Sequence, residues 1–378
     1  MNPVGIRGVG LSCALGLDAP ACVERLLQGS RAPEPVRLEG LAEAVEVTYY
    51  RIPDGARLFD PGRFERLIPA VVDAALVDSG LSAAQRRGLP VYLGSSCFSI
   101  GLSEATYAAA LARGVADAFP MPQCSYGYLA ELARQAAGSA GRMFIYNTAC
   151  TASANALLGA SRALGLGRCP YALVVGAELA NRTTLAGFSG MQLLADRLQP
   201  FAAERSGIVL GEGISAVLLS ATPRDGECLL RGGANNSDTY SVTAANPDGV
   251  SVAAALQQAL DVTATREVQG IRVHATASAA GDAAEALGLR KVFGAMPPLS
   301  ALKPHLGHTL GACGVNELVL YRGALQQGLL PGSQGAGTPD PELDLRPLTE
   351  HAAAKPGRYL LNHFGFGGNN TVLVLERP

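Results

Sequence analysis

The sequence predicts an α/β fold built from two halves of similar rhythm, residues 1–224 and 225–378. Three observations carry that prediction. Short apolar runs alternate along the whole chain with Ala/Leu-rich segments of helical period. The rhythm of the first half returns in the second, although no literal sequence repeat accompanies it. Runs such as Tyr171 to Ala177 are too uniformly apolar for a half-exposed strand, as expected where a central strand is covered on both faces.

The elements follow in order. Val4 to Leu11 reads as a first strand. Residues 29–60 form an irregular region. Arg66 to Ala84 has apolar residues at Leu67, Ile68, Val71, Val72, Ala75 and Leu76, the spacing of one helix face, with a stop near Gly80. Val91 to Gly94 is a short buried strand, followed by helices over 103–118 and 126–140. Met143 to Tyr146 is a strand, and 151–166 is a helix rich in small residues. Residues 208–220 hold two strand segments around a tight bend at Gly211 and Gly213. The second half offers strands at 228–233, 271–276, 358–363 and 371–376 and helices at 250–261, 282–293 and 310–327. Residues 329–347 form the clearest long loop.

Composition narrows the function. A chain of 378 residues buries a core without disulfide or metal staples. At 48% hydrophobic and 16% charged it is no disordered solvating chain. Acidic and basic residues number 32 and 30 with no long basic block, which argues against a nucleic-acid binder. No apolar run reaches about 18 residues, so no membrane helix is expected. Met1 leads into the first strand without a basic and then apolar leader, and the chain is expected in the cytoplasm. The cysteines at 13, 22, 97, 124, 150, 169, 228 and 313 include no CxxC pair, which gives zinc or thioredoxin chemistry no support. Most are expected to be small buried residues.

Cys150 stands out by position. It follows the strand ending near 147 and opens the helix 151–166. There a helix dipole favours a thiolate, and free backbone N–H groups can hold an oxyanion. The competing reading is a buried structural cysteine. His274 sits where a strand enters the loop Ala275-Thr276-Ala277-Ser278, and His308 precedes a small-residue helix. Each alone also fits a satisfied core histidine. His305 lies three residues before His308, so spacing leaves a metal pair open, although Pro304 and Gly307 argue against a helix there. Phe364 to Asn370 is a glycine-rich turn with neither the Lys-Ser/Thr nor the following helix of a phosphate loop. Glu212, between two glycines, is either structural or close to the site.

Taken together and in this order, these segments resemble the elongating β-ketoacyl-acyl carrier protein synthases of fatty acid and polyketide assembly. The resemblance spans nearly the whole chain. Thr148-Ala149-Cys150-Thr151-Ala152 looks like the nucleophile turn of that family, and residues 200–213 like its PFxxxRxGxxxGEG run. His274 to Ser278 with Gly281-Asp282 looks like its first histidine loop. Lys303, Gly307-His308 and Glu317 look like its lysine and second histidine segment, and residues 364–370 like its gating loop. The chain departs from the pattern at Gln199, Ala275, Ser278 and Asn369, where the family usually has Arg, Gly, Thr and Thr. None of these removes a catalytic group, and they point to a specialised pathway, one option being aryl-polyene-like.

The resemblance implies the thiolase fold, with duplicated βαβαβ halves and two mixed five-stranded sheets in a five-layer αβαβα arrangement. The half 1–224 would carry the nucleophile, and 225–378 the histidines and gate. It implies that Cys150 takes an acyl chain from a carrier protein and that His274 and His308 promote decarboxylation of malonyl-carrier protein. The N–H groups of Cys150 and Phe366 would hold the oxyanion. Lys303 would set the field at His308 with Glu317 as its partner, Thr276 and Ser278 would bind the pantetheine arm, and Phe366 would gate the acyl pocket. No metal and no permanently bound cofactor is implied, since the acyl carrier protein supplies phosphopantetheine. The expected partners are that carrier protein and a second ketosynthase-like subunit, as homodimer or heterodimer. The alternative function is a non-catalytic chain-length-controlling or carrier-binding subunit.

Overall fold

The computed structural model describes residues 2–29, 31–39, 44–60, 62–115, 125–333 and 337–378. The chain opens with β1 (Val4–Cys13), α1 (Ala19–Gln28), β2 (Glu34–Leu38) and β3 (Val45–Tyr50). Next come α2 (Arg63–Ser79), α3 (Ala83–Arg86), β4 (Val91–Gly94), α4 (Ile100–Ala112), α5 (Tyr128–Ala136) and β5 (Met143–Tyr146). They lead to α6 (Ala152–Gly165), β6 (Tyr171–Glu178), α7 (Arg182–Gly190), β7 (Leu210–Gly211) and β8 (Gly213–Ser220). The remainder begins with β9 (Leu229–Ser237), α8 (Val250–Val262), β10 (Gly270–Arg272), α9 (Ala279–Val292), β11 (Leu299–Ser300) and α10 (Lys303–Leu306). It ends with α11 (Cys313–Gln326), β12 (Leu329–Leu330), β13 (Ala352–Ala353), β14 (Gly357–Gly365) and β15 (Asn369–Arg377).

Ten strands form one sheet in the order β11-β10-β14-β15-β9-β1-β8-β6-β4-β5. This is two runs of five, joined where Val4 and Gly5 face Leu230 and Leu229. Each run, read outward from that joint, takes its strands in the chain order first, fifth, fourth, second, third. In each, the first three are antiparallel and the outer ones parallel. The same wiring is therefore used twice.

Side-chain alternation turns those runs into layers. Along β6, Leu173, Val175 and Ala177 join a core with α2 and α5, while Ala172 and Val174 join another containing α6 and α11. Along β15, Leu373 and Leu375 face that same middle layer, while Val372 and Val374 face α8 and α9. Strands covered on both faces must be apolar throughout, which is why the alternation is invisible in their sequence. The result is the five-layer α/β thiolase arrangement, with α6 and α11 in the centre.

Several local expectations change. The helix expected over 66–84 runs Arg63–Ser79 and stops at Gly80 in the left-handed region (φ 69°). A separate short α3 follows, capped by Ser82 and Gln85. The strand expected at 271–276 ends at Arg272, because Ala275 (φ 53°) and Ala277 (φ 62°) leave extended backbone. Leu310–Ala312 is a 3₁₀ turn before α11, and residues 29–60 include the β2–β3 antiparallel pair. The helices α1 and α7 were not expected. Asp18 and Asn181 cap them through bonds to Ala21 N and Thr184 N. Cys124, residues 116–118 of an expected helix, 334–336 of the expected loop and 30, 40–43 of the irregular region lie outside the described residues. Among the described residues no helix is long and apolar enough to cross a membrane.

Candidate active site

Cys150 sits between β5 and α6, one residue before the helix cap Thr151. Ala149 holds φ 49°, a left-handed conformation that is strained for alanine and turns the chain sharply into the helix. The turn is tied down from behind. Thr151 Oγ1 donates to Thr148 O at 2.7 Å, Asn155 Nδ2 donates to Thr148 Oγ1 at 2.9 Å, and Thr371 Oγ1 of β15 donates to Asn155 Oδ1 at 2.9 Å. Gly365 at the end of β14 packs on this turn, and a Cβ there would lie 3.1 Å from Cys150 N.

Both histidines converge on the cysteine. His308 Nε2 lies 3.1 Å from Cys150 Sγ, and the His274 and His308 rings are 5.4 Å apart, edge to face. The backbone of His308 is gripped by the segment at β7: its N–H donates to Val209 O at 2.8 Å and its carbonyl accepts from Gly211 N at 3.0 Å. Glu285 of α9 holds the other histidine loop, accepting from His274 N at 2.8 Å and Ala275 N at 2.9 Å. Asp282 pins the same loop to the 200–213 run by accepting from Ala277 N and Phe201 N.

Behind the histidines lies a fully buried charge cluster. Lys303 Nζ is 2.7 Å from Glu317 Oε1 and 3.4 Å from His274 Nδ1. Arg272 Nη1 is 3.0 Å from Glu317 Oε2. An ammonium only donates, so His274 Nδ1 accepts, and the proton of the neutral ring resides on Nε2, the nitrogen free to face a substrate. His308 is not pinned in this way: its buried Nδ1 has no hydrogen-bond partner among the described residues.

Burial and the Lys303 charge hold both His274 and His308 well below the ordinary histidine range, so both rings are neutral. Burial also raises the Cys150 thiol to about 11, with Lys303 and the backbone N–H groups of Phe366 and Cys150 offsetting part of that rise. The helix terminus therefore does not make a resting thiolate here: loss of hydration outweighs it.

A cavity of about 320 Å³ opens onto this cluster, with Cys150, His274, His308, Thr276, Ser278 and Phe366 in its walls. Its exposed wall is mainly apolar, with Phe188, Leu193, Val242 and Phe366 among the lining residues, the character of a site for an acyl chain on a polar tether.

Family models agree with the geometry. Residues 1–224 match the beta-ketoacyl synthase N-terminal domain and 228–336 its C-terminal domain. The chain belongs to the beta-ketoacyl synthase family. It is 27% identical to nodulation protein E of a Rhizobium species over 399 residues, covering 99% of both chains. It is also 27% identical to 3-oxoacyl-[acyl-carrier-protein] synthase 2 of Mycobacterium bovis over 411 residues, covering 99% of this chain and 97% of that one. Among solved structures, a ketosynthase (ApeO) in complex with its chain length factor (ApeC) from Xenorhabdus doucetiae superposes with a TM-score of 0.86 at 24% identity, over 100% of this chain and 98% of that one.

Within this beta-ketoacyl synthase, the eight residues singled out by sequence fall around one cavity or directly behind it. Lys303 makes its side-chain contact with His274, and its charge also acts on His308. Thr276 and Ser278 share a 2.9 Å hydroxyl contact. The Phe366 ring stacks on Phe188 of α7 at 5.8 Å. His305 does not pair with His308. Its Nε2 lies 3.1 Å from Gly332 O, and burial lowers its pKa to about 4. Glu212 is structural: it receives two bonds from Arg63 at 2.5 and 2.9 Å, and the N–H groups of Ile52 and Ala180.

Sequence reasoning missed Asn155, Glu285, Arg272 and His363. The signal was present for the last two, since each is a titratable residue beside buried apolar strand residues, Ile271 before Arg272 and Leu360 and Leu361 before His363. His274, Cys313 and His363 bring possible ligand atoms within 4.8 Å of one another. Lys303 and Arg272 contact two of those rings, however, so cations already stand where a metal would draw electron density.

Proposed function

We propose that this chain catalyses the decarboxylative Claisen condensation of a Cys150-bound acyl chain with malonyl-acyl carrier protein, in fatty acid or polyketide assembly. The observation that carries the reading is the convergence of a buried cysteine with two neutral histidines, His308 Nε2 lying 3.1 Å from Cys150 Sγ. The phosphopantetheine arm belongs to the carrier protein. The hydroxyls of Thr276 and Ser278 in the cavity wall suit the amides of such an arm.

In the first half-reaction Cys150 sulfur attacks the acyl thioester. His308 Nε2 is placed to take the thiol proton, which ends on the departing pantetheine sulfur. The tetrahedral oxyanion is held by the N–H groups of Cys150 and Phe366. In the second, malonyl-carrier protein occupies the same cavity. His274 donates Nε2–H to the thioester oxygen, joined by His308, whose unpinned ring can present either nitrogen. The bond to the malonyl carboxylate breaks, carbon dioxide leaves, and its electron pair forms an enolate. That carbon attacks the acyl carbonyl, and the C–S bond to Cys150 breaks. The cavity keeps water from protonating the enolate.

The alternative, a silent chain-length-controlling subunit, finds less support because the nucleophile and both histidines are in place. The deciding experiment is incubation with an acyl-carrier protein followed by intact-protein mass spectrometry. Gain of one acyl group on Cys150 supports the condensing role, and no acylation of this chain beside an acylated partner subunit would favour the silent role.

Phe366 would gate acyl entry. Gly367 has φ 74°, a conformation that valine tolerates at a cost of about 1–2 kcal/mol. Gly367→Val is expected to slow acyl loading of every chain length. Phe366→Ala is expected to relax discrimination between short and long chains. Equal loss of thermal stability in both with unchanged chain preference would reduce this turn to packing.

A subunit partner would use β5. That strand is an outer edge of the ten-stranded sheet and exposes Met143, Phe144 and Ile145, each between 38% and 40% accessible. A second ketosynthase-like subunit can add its own strand there. Phe144→Asp is expected to shift the protein toward a monomer in analytical ultracentrifugation, and an unchanged mass would move the interface elsewhere.

A further inference from the structure

The buried charge cluster contains more than the site chemistry requires. Arg272 and His363 lie behind Lys303 and Glu317, and both are fully buried. Arg272 Nη2 is 2.5 Å from His363 Nε2 and 3.0 Å from its Nδ1. His363 Nδ1 is in turn 3.8 Å from Cys313 Sγ, and that thiol donates to Cys150 O at 3.1 Å. Arg272 thus joins two lines of contact. One runs through Glu317 and Lys303 to His274, the other through His363 and Cys313 to the main chain of the nucleophile.

A comparison within the molecule shows how unusual this is. Arg63 is equally buried, and its guanidinium is satisfied by Asp54, Glu212 and Leu58 O. Among the described residues Arg272 Nε has no hydrogen-bond partner, and the Nη1 contact with Glu317 Oε2 lacks hydrogen-bond geometry. A buried guanidinium left partly unsatisfied is costly to fold. Glu317 is also shared: two cations, Arg272 and Lys303, face one carboxylate.

We propose that Arg272 and His363 are positioning residues of this site. Arg272 occupies half of Glu317, leaves the Lys303 ammonium incompletely neutralised beside His274, and is itself held by His363. The surplus positive charge favours anionic sulfur at Cys150 and neutral rings at His274 and His308. The proposal rests on the functional reading above, but its test requires no acyl or malonyl substrate. The groups facing Cys150 are His308, His274, Lys303, Cys313 and Glu178, and of these Lys303 supplies the main lowering influence on the thiol.

The test is the pH profile of Cys150 alkylation by iodoacetamide in the full chain, read on the Cys150 peptide by mass spectrometry. Arg272→Gln leaves Glu317 wholly to Lys303, so the pair remains matched and the fold has no orphaned charge. Its alkylation midpoint is expected to rise by about one unit, making the reaction about tenfold slower at any pH below the midpoint. Arg272→Lys, which keeps the charge, is expected to return the midpoint toward that of the native protein. His363→Gln is expected to raise it by a smaller amount. An unchanged midpoint in both Arg272→Gln and His363→Gln, with only the melting temperature lowered, overturns the proposal. Should Arg272→Gln fail to fold, His363→Gln decides alone: an upward shift supports the proposal and no shift overturns it. Failure of acyl transfer to native Cys150 would be a separate result and would sink the functional reading instead.

Discussion

Cys150→Ala is expected to abolish condensation while leaving malonyl decarboxylation measurable. Loss of a nucleophile that works with a paired base typically costs about a million-fold in turnover, which places condensation below detection. His308 loses its contact with Sγ, but both histidines keep the contacts that hold them in place. His274 is held by Glu285 and Lys303, and the backbone of His308 by Val209 and Gly211, and none of these contacts uses the Cys150 side chain. Carbon dioxide release from malonyl-carrier protein should therefore persist. Thiol labelling gives an independent check. Burial raises Cys150 to about 11 but Cys97 to about 12 and Cys313 further, so Cys150 should react before either. Cys169 is half-exposed and serves as the surface control. Condensation at the native rate in Cys150→Ala would assign the chemistry to a partner subunit. Faster labelling at Cys97 or Cys313 would count against Cys150 as the activated thiol.

Much of this site was legible because its chemistry lies at ends of elements. Cys150, His274 and His308 each sit where regular structure gives way to a turn, and turn residues mark such places in sequence. Phe366 is flagged in the same way by the glycines around it. Less legible was whatever depends on contact between distant segments. Lys303 reads as part of the His308 segment, yet its side chain crosses to His274, 29 positions away in sequence. The thiolate expected from the helix terminus reflects local geometry alone. Burial by both halves of the fold reverses it, and only packing reveals that. The strand expected through His274 stops short because Glu285 and Asp282, on the following helix, bind the backbone N–H groups that a sheet neighbour would otherwise take. Uniformly apolar strands conveyed the class of fold but not the strand order, since both faces are covered. Arg272 ends one strand and His363 lies in another, both among buried apolar residues, and a titratable residue in that setting already signals a buried partner.

The two histidines are expected to fail differently. Loss of one preorganised donor to a developing oxyanion typically costs about 100- to 1,000-fold in rate, so His274→Ala and His308→Ala should each slow carbon dioxide release by that order. Among the described residues it is His308, not His274, that contacts the thiol, so His274→Ala should still accept an acyl chain on Cys150. His308 Nε2 is 3.1 Å from Cys150 Sγ, so His308→Ala should slow acylation as well. Their pH dependence follows from the same geometry. Both rings are held well below the usual histidine pKa, by burial first and by Lys303 next. A group with a lowered pKa stays neutral as pH falls through the ordinary histidine range and gains its proton only below it. Carbon dioxide release by the native chain should therefore show no loss near pH 6.5, with its acid limb well below that value. Lys303→Met removes the nearest cation, allowing both histidines to rise, and the acid limb should move to higher pH. Measuring decarboxylation from pH 4.5 to 8 in the native chain and in Lys303→Met tests this directly. An acid limb at the same pH in both would mean that burial alone keeps the rings neutral and that Lys303 acts only as the partner of Glu317.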